Sequence, residues 1–333
     1  MNYKQTYNLD DIYIVPSYVT YINSRNECNP RDGDPRDGAR LPIFIAPMSS
    51  IIDEYNIAEF NKDFYTIVPR TVDYHIREQL LKEGWWVAMG LKEAQSLYEE
   101  YSKEQSSYVP HICIDQANGH MNALVKLCNN LKGLLGDRIK IMVGNIANPA
   151  TCCAYSNVDY IRIGIGSGNV CTTTTQTGVH YPMASLINEC RKVIDQFDHK
   201  PKLIADGGFN NISQIIKALA LGADYCMIGR IAASFEEACG KVINSTSISH
   251  QKMRWYYGMS TEEAQKLIHK ASKFHDEPLT LKHSEGRGTY MKVNTNIKTW
   301  VEDFESALRS TMSYTNSKDL ESFIGKCEIV LNK

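Results

Sequence analysis

The stretch Gly164-Ile165-Gly166-Ser167-Gly168-Asn169-Val170-Cys171 runs directly into four threonines, Thr172 to Thr175. Three glycines at alternate positions permit positive φ and close backbone approach. Such a turn can aim successive N–H or C=O groups at an ion or a phosphate, although a plain tight loop has the same composition. Most cysteines are buried and inert. One placed after a glycine-rich turn at the carboxyl end of a strand, near backbone donors and a helix start, is a candidate nucleophile through its thiolate. The threonines have two readings. Their hydroxyls can bond the loop's own backbone, or Thr173 can relay a proton if a carboxylate lies beside it.

Other polar residues gather where apolar runs end. Asp206-Gly207-Gly208 and Gly229-Arg230 would let backbone amides approach a phosphate, with Arg230 adding a forked charge contact. Asp206 repels an anion but accepts from a ribose hydroxyl. Asp115, Asn118 and Gly119 close another run, and a carboxylate there could orient a ring or a ribose. No G-x-G-x-x-G follows a strand and opens a helix, so a dinucleotide would bind without a Rossmann unit. Ser260 followed by Glu263 reads as a capping box whose free amides also suit an anion. Glu285, in Lys282-His283-Ser284-Glu285-Gly286, reads locally as a solvated loop glutamate. Cys152-Cys153 lacks zinc-site company.

The elements that must position these residues are legible as eight apolar runs, at 43–48, 64–69, 85–90, 111–117, 140–146, 160–166, 202–208 and 225–230. They are rich in Ile, Val and aromatics without polar alternation, as strands buried on both faces are. Most are separated by stretches with apolar residues at three- and four-residue spacing, which predict helices. Eight alternating units predict an α/β fold, a (β/α)8 TIM barrel. An open doubly wound sheet is the competing arrangement. The polar residues cluster at strand carboxyl ends, where barrel enzymes place their chemistry, and this favours the barrel. An N-terminal extension holds two Pro-Arg-Asp-Gly turns, at 30–33 and 35–38. A segment from about 240 to 296 is too long for a βα connection and reads as a flap or lid after the eighth strand. The whole chain, 1–333, reads as one catalytic domain.

Composition excludes several classes. The chain has 333 residues, 43% hydrophobic and 22% charged, with a formal net charge of -2. That is enough apolar content for a large core, and it gives no basis for a nucleic-acid or anionic-membrane partner. No apolar run reaches membrane-spanning length and the N-terminus lacks a signal core, so a cytoplasmic protein is expected. The ten cysteines then read as reduced thiols.

Taken together, GIGSGNVCTTTTQTGVHYP, IADGG, MIG, YYGMS, SEG and LRSTMSYT resemble the IMP dehydrogenase/GMP reductase family in order and spacing. LDDIYIVPS, INSRNEC, APMSSIIDE, IDQANGH and VGNI extend the likeness over nearly the full chain. Within the family the chain is more similar to the reductases. There is no room for the regulatory domain pair that dehydrogenases insert after the second strand, and no Arg-Tyr dipeptide on the flap. The resemblance implies that Cys171 attacks carbon-2 of the guanine of GMP, and that Thr173 and Glu285 help release ammonia. NADPH then delivers hydride and IMP leaves. It places Asn169, Asp206, Gly207, Gly208, Gly229, Arg230, Gly258, Met259, Ser260 and Lys282 at the nucleotide, and Asp115, Asn118, Gly119 and Ser310, Thr311, Met312 and Ser313 near the cofactor, the last four across a subunit boundary. It implies a homotetramer, and a potassium ion on the carbonyls of Gly166, Gly168 and Cys171 beside Thr174. Asn169, Thr174, Arg230, Lys282 and Pro69-Arg70 depart from the family's usual residues. An IMP dehydrogenase without the regulatory pair, an idle purine-nucleotide-binding barrel and a flavin-dependent barrel oxidoreductase are the alternatives.

Overall fold

Every apolar run forms a strand, and all eight join one parallel sheet. A computed structural model describes residues 3–33, 38–103, 108–244 and 251–332. The strands are β1 (Ile43–Ile45), β2 (Ile67–Val68), β3 (Trp86–Met89), β4 (His111–Asp115), β5 (Lys140–Ile146), β6 (Tyr160–Ile163), β7 (Lys202–Asp206) and β8 (Tyr225–Ile228). Each pairs with its sequence neighbour, β1 pairs with β8, and a parallel bridge from Phe44 to Tyr65 closes the ring between β1 and β2. This closure settles the barrel over the open sheet.

Period-two alternation divides the core in two. Phe44, Ile67, Ala88, Cys113, Met142, Ile204, Tyr225 and Met227 fill the barrel interior. Their neighbours, such as Ile43, Val87, Ile112, Ile141, Ile161, Leu203 and Ile228, face the outer ring of helices. The amino-terminal end of the barrel is aromatic. Phe44 stacks on Tyr65 with centroids 5.1 Å apart, and the hydroxyls of Tyr65 and Tyr225 donate to Asp32 at 2.8 and 2.5 Å. Asp32 belongs to the first Pro-Arg-Asp-Gly turn, which bridges to Arg40; the second, at 35–38, lies largely outside the described residues.

The expected helices form at Tyr74–Lys82, Asn122–Leu135, Met183–Ile194, Ile212–Leu221 and Ile297–Tyr314. Another, Leu91–Tyr101, joins β3 to β4, and a 3-10 turn at Pro149–Tyr155 replaces the helix between β5 and β6. The chain ends are clasped by a two-stranded antiparallel sheet of Ile12–Ile14 with Ile329–Leu331.

The long segment after β8 is a built strap. Lys252–Tyr257 lies between Val242–Asn244 and Gly288–Lys292 in a three-stranded sheet, and a helix follows at Glu262–Ala271. Arg254, 1% exposed, donates to the carbonyls of Ala233, Glu236 and Gly240 and so pins the strap's base to the end of the barrel. The far end docks on the helices after β2 and β3. Arg77 forms a buried pair with Glu93 at 2.7 Å and donates to the Ala271 carbonyl at 3.3 Å. Ser272 donates to Glu93, and Lys273 pairs with Glu100.

Candidate active site

The loop after β6 folds back because glycine stands where no other residue fits. Gly166 has φ +73, and a Cβ there would lie 1.9 Å from Thr174 Oγ1. The Thr174 hydroxyl donates to the Gly166 carbonyl at 3.1 Å, and the Cys171 amide donates to the Gly168 carbonyl at 2.9 Å. The turn delivers Cys171, partly exposed, to the barrel mouth just before a short helix, Thr173–Thr177.

The strap meets this loop as a strand would. Cys171 bridges Gly286 in antiparallel register, the Thr172 amide donates to the Glu285 carbonyl at 2.8 Å, and the Arg287 amide donates to the Val170 carbonyl at 2.9 Å. This pairing puts the Glu285 side chain beside the thiol. The Cys171 thiol donates to Thr173 Oγ1 at 3.2 Å, and the Thr173 hydroxyl donates to Glu285 Oε2 at 2.6 Å. Thiol, hydroxyl and carboxylate therefore form one hydrogen-bonded line. It is shaped for nucleophilic attack by sulfur with a proton path to an acid–base group.

Next to the thiol lies a cradle of small residues. Gly207 and Gly208 take φ +90 and +84 against the Ser167–Gly168 backbone, and the Asn169 side-chain Nδ2 donates to Asn210 Oδ1 at 2.8 Å, tying the two loops together. Gly229 closes the other side. A Cβ there would lie 2.9 Å from the Tyr256 hydroxyl. Among the described residues that hydroxyl has only the Met48 sulfur as partner, at 3.7 Å, and burial pushes its pKa up, so it stays a donor. Ser49, after β1, shares a 2.8 Å hydrogen bond with Tyr257 and reaches Met259. Behind the loop, a polar cavity of about 340 Å³ is lined by Asp10, Gly166, Ser167, Thr174, His180 and Gly208.

The floor of the mouth is charged. Arg162, an inward-facing residue of β6 that is 5% exposed, donates Nη1 to Asp115 Oδ1 and Nη2 to Asp206 Oδ2, both at 2.8 Å. Asn145 adds a second donor to Asp206 at 2.7 Å. Burial pushes Asp115 toward protonation, but Arg162 and then Arg70 outweigh it and hold the carboxyl below its usual range. Arg70, at the end of β2, has its Nε buried without a partner among the described residues. It packs over Gly90, where a Cβ would lie 2.7 Å from Nη2.

Of the residues singled out in the sequence, Cys171, Thr173 and Glu285 meet directly, and Asn169, Gly207, Gly208 and Gly229 sit on the loops around them. Gly258 packs on Val170 and Gly286, and Ser260 Oγ lies against Gly286. Arg230 is exposed at the start of a short helix. Lys282 is exposed on the strap, its backbone held by Gln265. One expectation needs correction. The cap of the Glu262–Ala271 helix is Thr261, one residue beyond Ser260, while Glu263 accepts from the Trp255 indole. Gly119 is buried, with its amide given to Asn145 and its carbonyl to Tyr155. Met312 is fully buried. Asn118 is exposed and accepts from the His120 amide. Ser310 and Ser313 bond to Arg25 and Thr20 of the N-terminal extension, and Thr311 lines a groove beside Tyr13 and Tyr314. Among the described residues none of these four touches the thiol cluster. No group of three His, Cys, Asp or Glu suited to a metal occurs among the described residues, nor any helix long and apolar enough to cross a membrane.

Four site residues escaped the sequence reading. Arg162 had a signal, because a lone arginine at an inward position of a doubly buried strand needs carboxylate partners. Asn145, Ser49 and Tyr256 stand inside the motifs VGNI, APMSS and YYGMS but carry nothing local that marks them.

Known proteins resemble this chain over most of its length. A family model described as IMP dehydrogenase / GMP reductase domain matches residues 82–332. The chain is 27% identical to a GMP reductase of Mesoplasma florum over 98% of both chains. It is 28% identical to one of Helicobacter pylori, over 99% of this chain and 96% of the other. A GMP reductase of Enterococcus faecalis is 26% identical, over 99% and 97%.

Proposed function

This chain belongs to the IMP dehydrogenase/GMP reductase family, and from that premise we propose that it is a GMP reductase, converting GMP to IMP and ammonia at the expense of NADPH. The observation that carries this reading is the line Cys171–Thr173–Glu285, with its 3.2 and 2.6 Å contacts. Relatives named GMP reductase, alike over nearly their whole length, support it.

Sγ of Cys171 bonds to C2 of the guanine, and the C2–amino bond breaks. The thiol proton leaves in the ammonia, passed through the Thr173 hydroxyl, whose other partner, Glu285, holds or returns it. Sulfur addition removes conjugation at C2 and splits a difficult displacement into two steps. NADPH, when bound, supplies the hydride that replaces the C–S bond, and IMP departs as the thiolate is regained. Gly207, Gly208, Gly229 and Tyr256 offer donors to the nucleotide phosphate, with Arg230 at the edge and Gly258, Met259 and Ser260 beside the ring. The free oxygen of Asp206 accepts from the ribose. On the cofactor side, Asp115 has an oxygen and Arg70 an Nε without a protein partner among the described residues, a donor and acceptor set that fits a dinucleotide carrying phosphates and hydroxyls. The carbonyl of Gly166, which borders the polar cavity, and that of Gly168 each keep a second lone pair, and these, with the Cys171 carbonyl, fit a potassium ion. The Ser310–Ser313 face would serve a neighbouring copy in a homotetramer.

The test is an anaerobic matrix of GMP or IMP against NADPH, NADH, NADP+ and NAD+, reading nicotinamide absorbance and ammonia. GMP with NADPH is expected to lose absorbance and release one ammonia per hydride. Turnover with IMP and NAD+ alone would overturn the assignment in favour of a dehydrogenase.

A further inference from the structure

Resting on that reading, we propose that Arg162 is a positioning residue shared by both half-sites: one buried guanidinium aims the carboxylate of the nucleotide side, Asp206, and that of the cofactor side, Asp115. The geometry is that of a fork with a carboxylate on each tine. Nη1 meets Asp115 Oδ1 and Nη2 meets Asp206 Oδ2, both at 2.8 Å, and Nη1 also lies 3.3 Å from the Cys113 sulfur. The three side chains come from β4, β6 and β7, so the fork spans the mouth beneath any ligand. Each carboxylate spends one oxygen on the arginine and keeps the other free of protein donors among the described residues. Those free oxygens are the ones a ribose hydroxyl of either ligand would reach. Two carboxylates share one cation, and neither has a second ion-pair partner among the described residues. Asp115 faces Arg162 from β6 and, more weakly, Arg70 from β2; Asp206 faces Arg162 and the neutral Asn145. Loss of the guanidinium therefore frees both carboxylates to turn away, repel each other or take up protons.

Lysine is not equivalent, because its single ammonium lacks the planar fork and satisfies one carboxylate at a time. The experiment measures dissociation constants of GMP and of NADP+ separately by calorimetry on the whole protein, a pair that does not turn over. Arg162→Met is expected to weaken both ligands at least tenfold, whereas Asp206→Asn weakens only GMP and Asp115→Asn only NADP+. Arg162→Lys should restore one affinity and not the other. In Arg162→Met, NADP+ affinity should also fall as pH is lowered from 7 to 5, while the wild type stays flat; a mere packing defect would not create that slope. If Arg162→Met fails to fold, Arg162→Met/Asp115→Asn relieves the repulsion and must still bind GMP more weakly than Asp115→Asn alone. A loss confined to one ligand in Arg162→Met, or no loss in a folded variant, overturns the proposal. If the wild type itself binds neither ligand, the GMP reductase reading fails instead.

Discussion

Replacing Thr173 by alanine removes one oxygen from between the Cys171 sulfur and the Glu285 carboxylate. The hydroxyl makes both contacts of the line, 3.2 Å to sulfur and 2.6 Å to Oε2, so its loss leaves the carboxylate about one atom too far to exchange a proton with the thiol. A positioned acid–base group contributes typically about 10²–10⁴-fold, or about 3–5 kcal/mol of barrier. That whole contribution belongs to the step in which ammonia leaves, because hydride delivery to C2 needs no proton from this line. The two steps are separable. Ammonia release is followed with GMP and NADPH, and the hydride step is followed backwards by mixing IMP with NADP+ in a single turnover and reading nicotinamide absorbance. Thr173→Ala is expected to slow ammonia release at least a hundredfold and to leave the hydride step within about fivefold, the middle of the range for a lost neutral contact. Thr173→Ser keeps the oxygen and should stay within about tenfold in both. Equal losses in the two steps, or an alanine variant slowed less than tenfold, would refute the relay.

Cys171→Ala should abolish ammonia release while GMP affinity by calorimetry stays within about tenfold, since the phosphate and ribose contacts are elsewhere. Tyr256→Phe removes one donor beside Gly229, and a hydrogen bond to a charged group is worth about 1.5–3 kcal/mol, so GMP should bind about ten- to a hundredfold more weakly while guanosine, which lacks the phosphate, is unaffected. Stability should fall with acid in two stages. Desolvation lowers His111, helped by Lys140, and lowers His120; below their usual value of 6.5 the unfolded chain takes up protons that the folded rings refuse, so stability drops as pH falls from there. Burial raises Glu93, but the Arg77 fork outweighs it and holds the carboxyl below 4.5, so its contribution is lost as pH falls further, through its folded value. A melting temperature that is flat or rising between pH 6.5 and 4 would contradict this.

The barrel was legible because doubly buried strands write continuous apolar runs, and all eight runs became strands. The helix Leu91–Tyr101 was missed because it is mostly polar and seals only Ala94 completely. No helix forms between β5 and β6, where Asn148 and Pro149 open a 3-10 turn instead. The Ser260 cap slipped by one because Thr261 competes for the same role with the same chemistry. The nucleophile could be read locally, from its glycines. Its partner could not, since Glu285 is 112 residues from Thr173 and looks like any loop glutamate; only the family resemblance joined them.

The strap leaves its sheet at Tyr257 and re-enters it at Gly288, directly opposite. Everything between is a cassette with its two ends already stitched together. Lengthening such a cassette adds closure entropy only slowly, and the barrel's strands feel none of it. The phosphate loops and the sulfur stay with the barrel, while Glu285 travels with the cassette together with Gly258, Met259 and Ser260, so exchanging the cassette as a unit would change the proton handling and the contacts to the ring at once and leave the phosphate and ribose contacts in place.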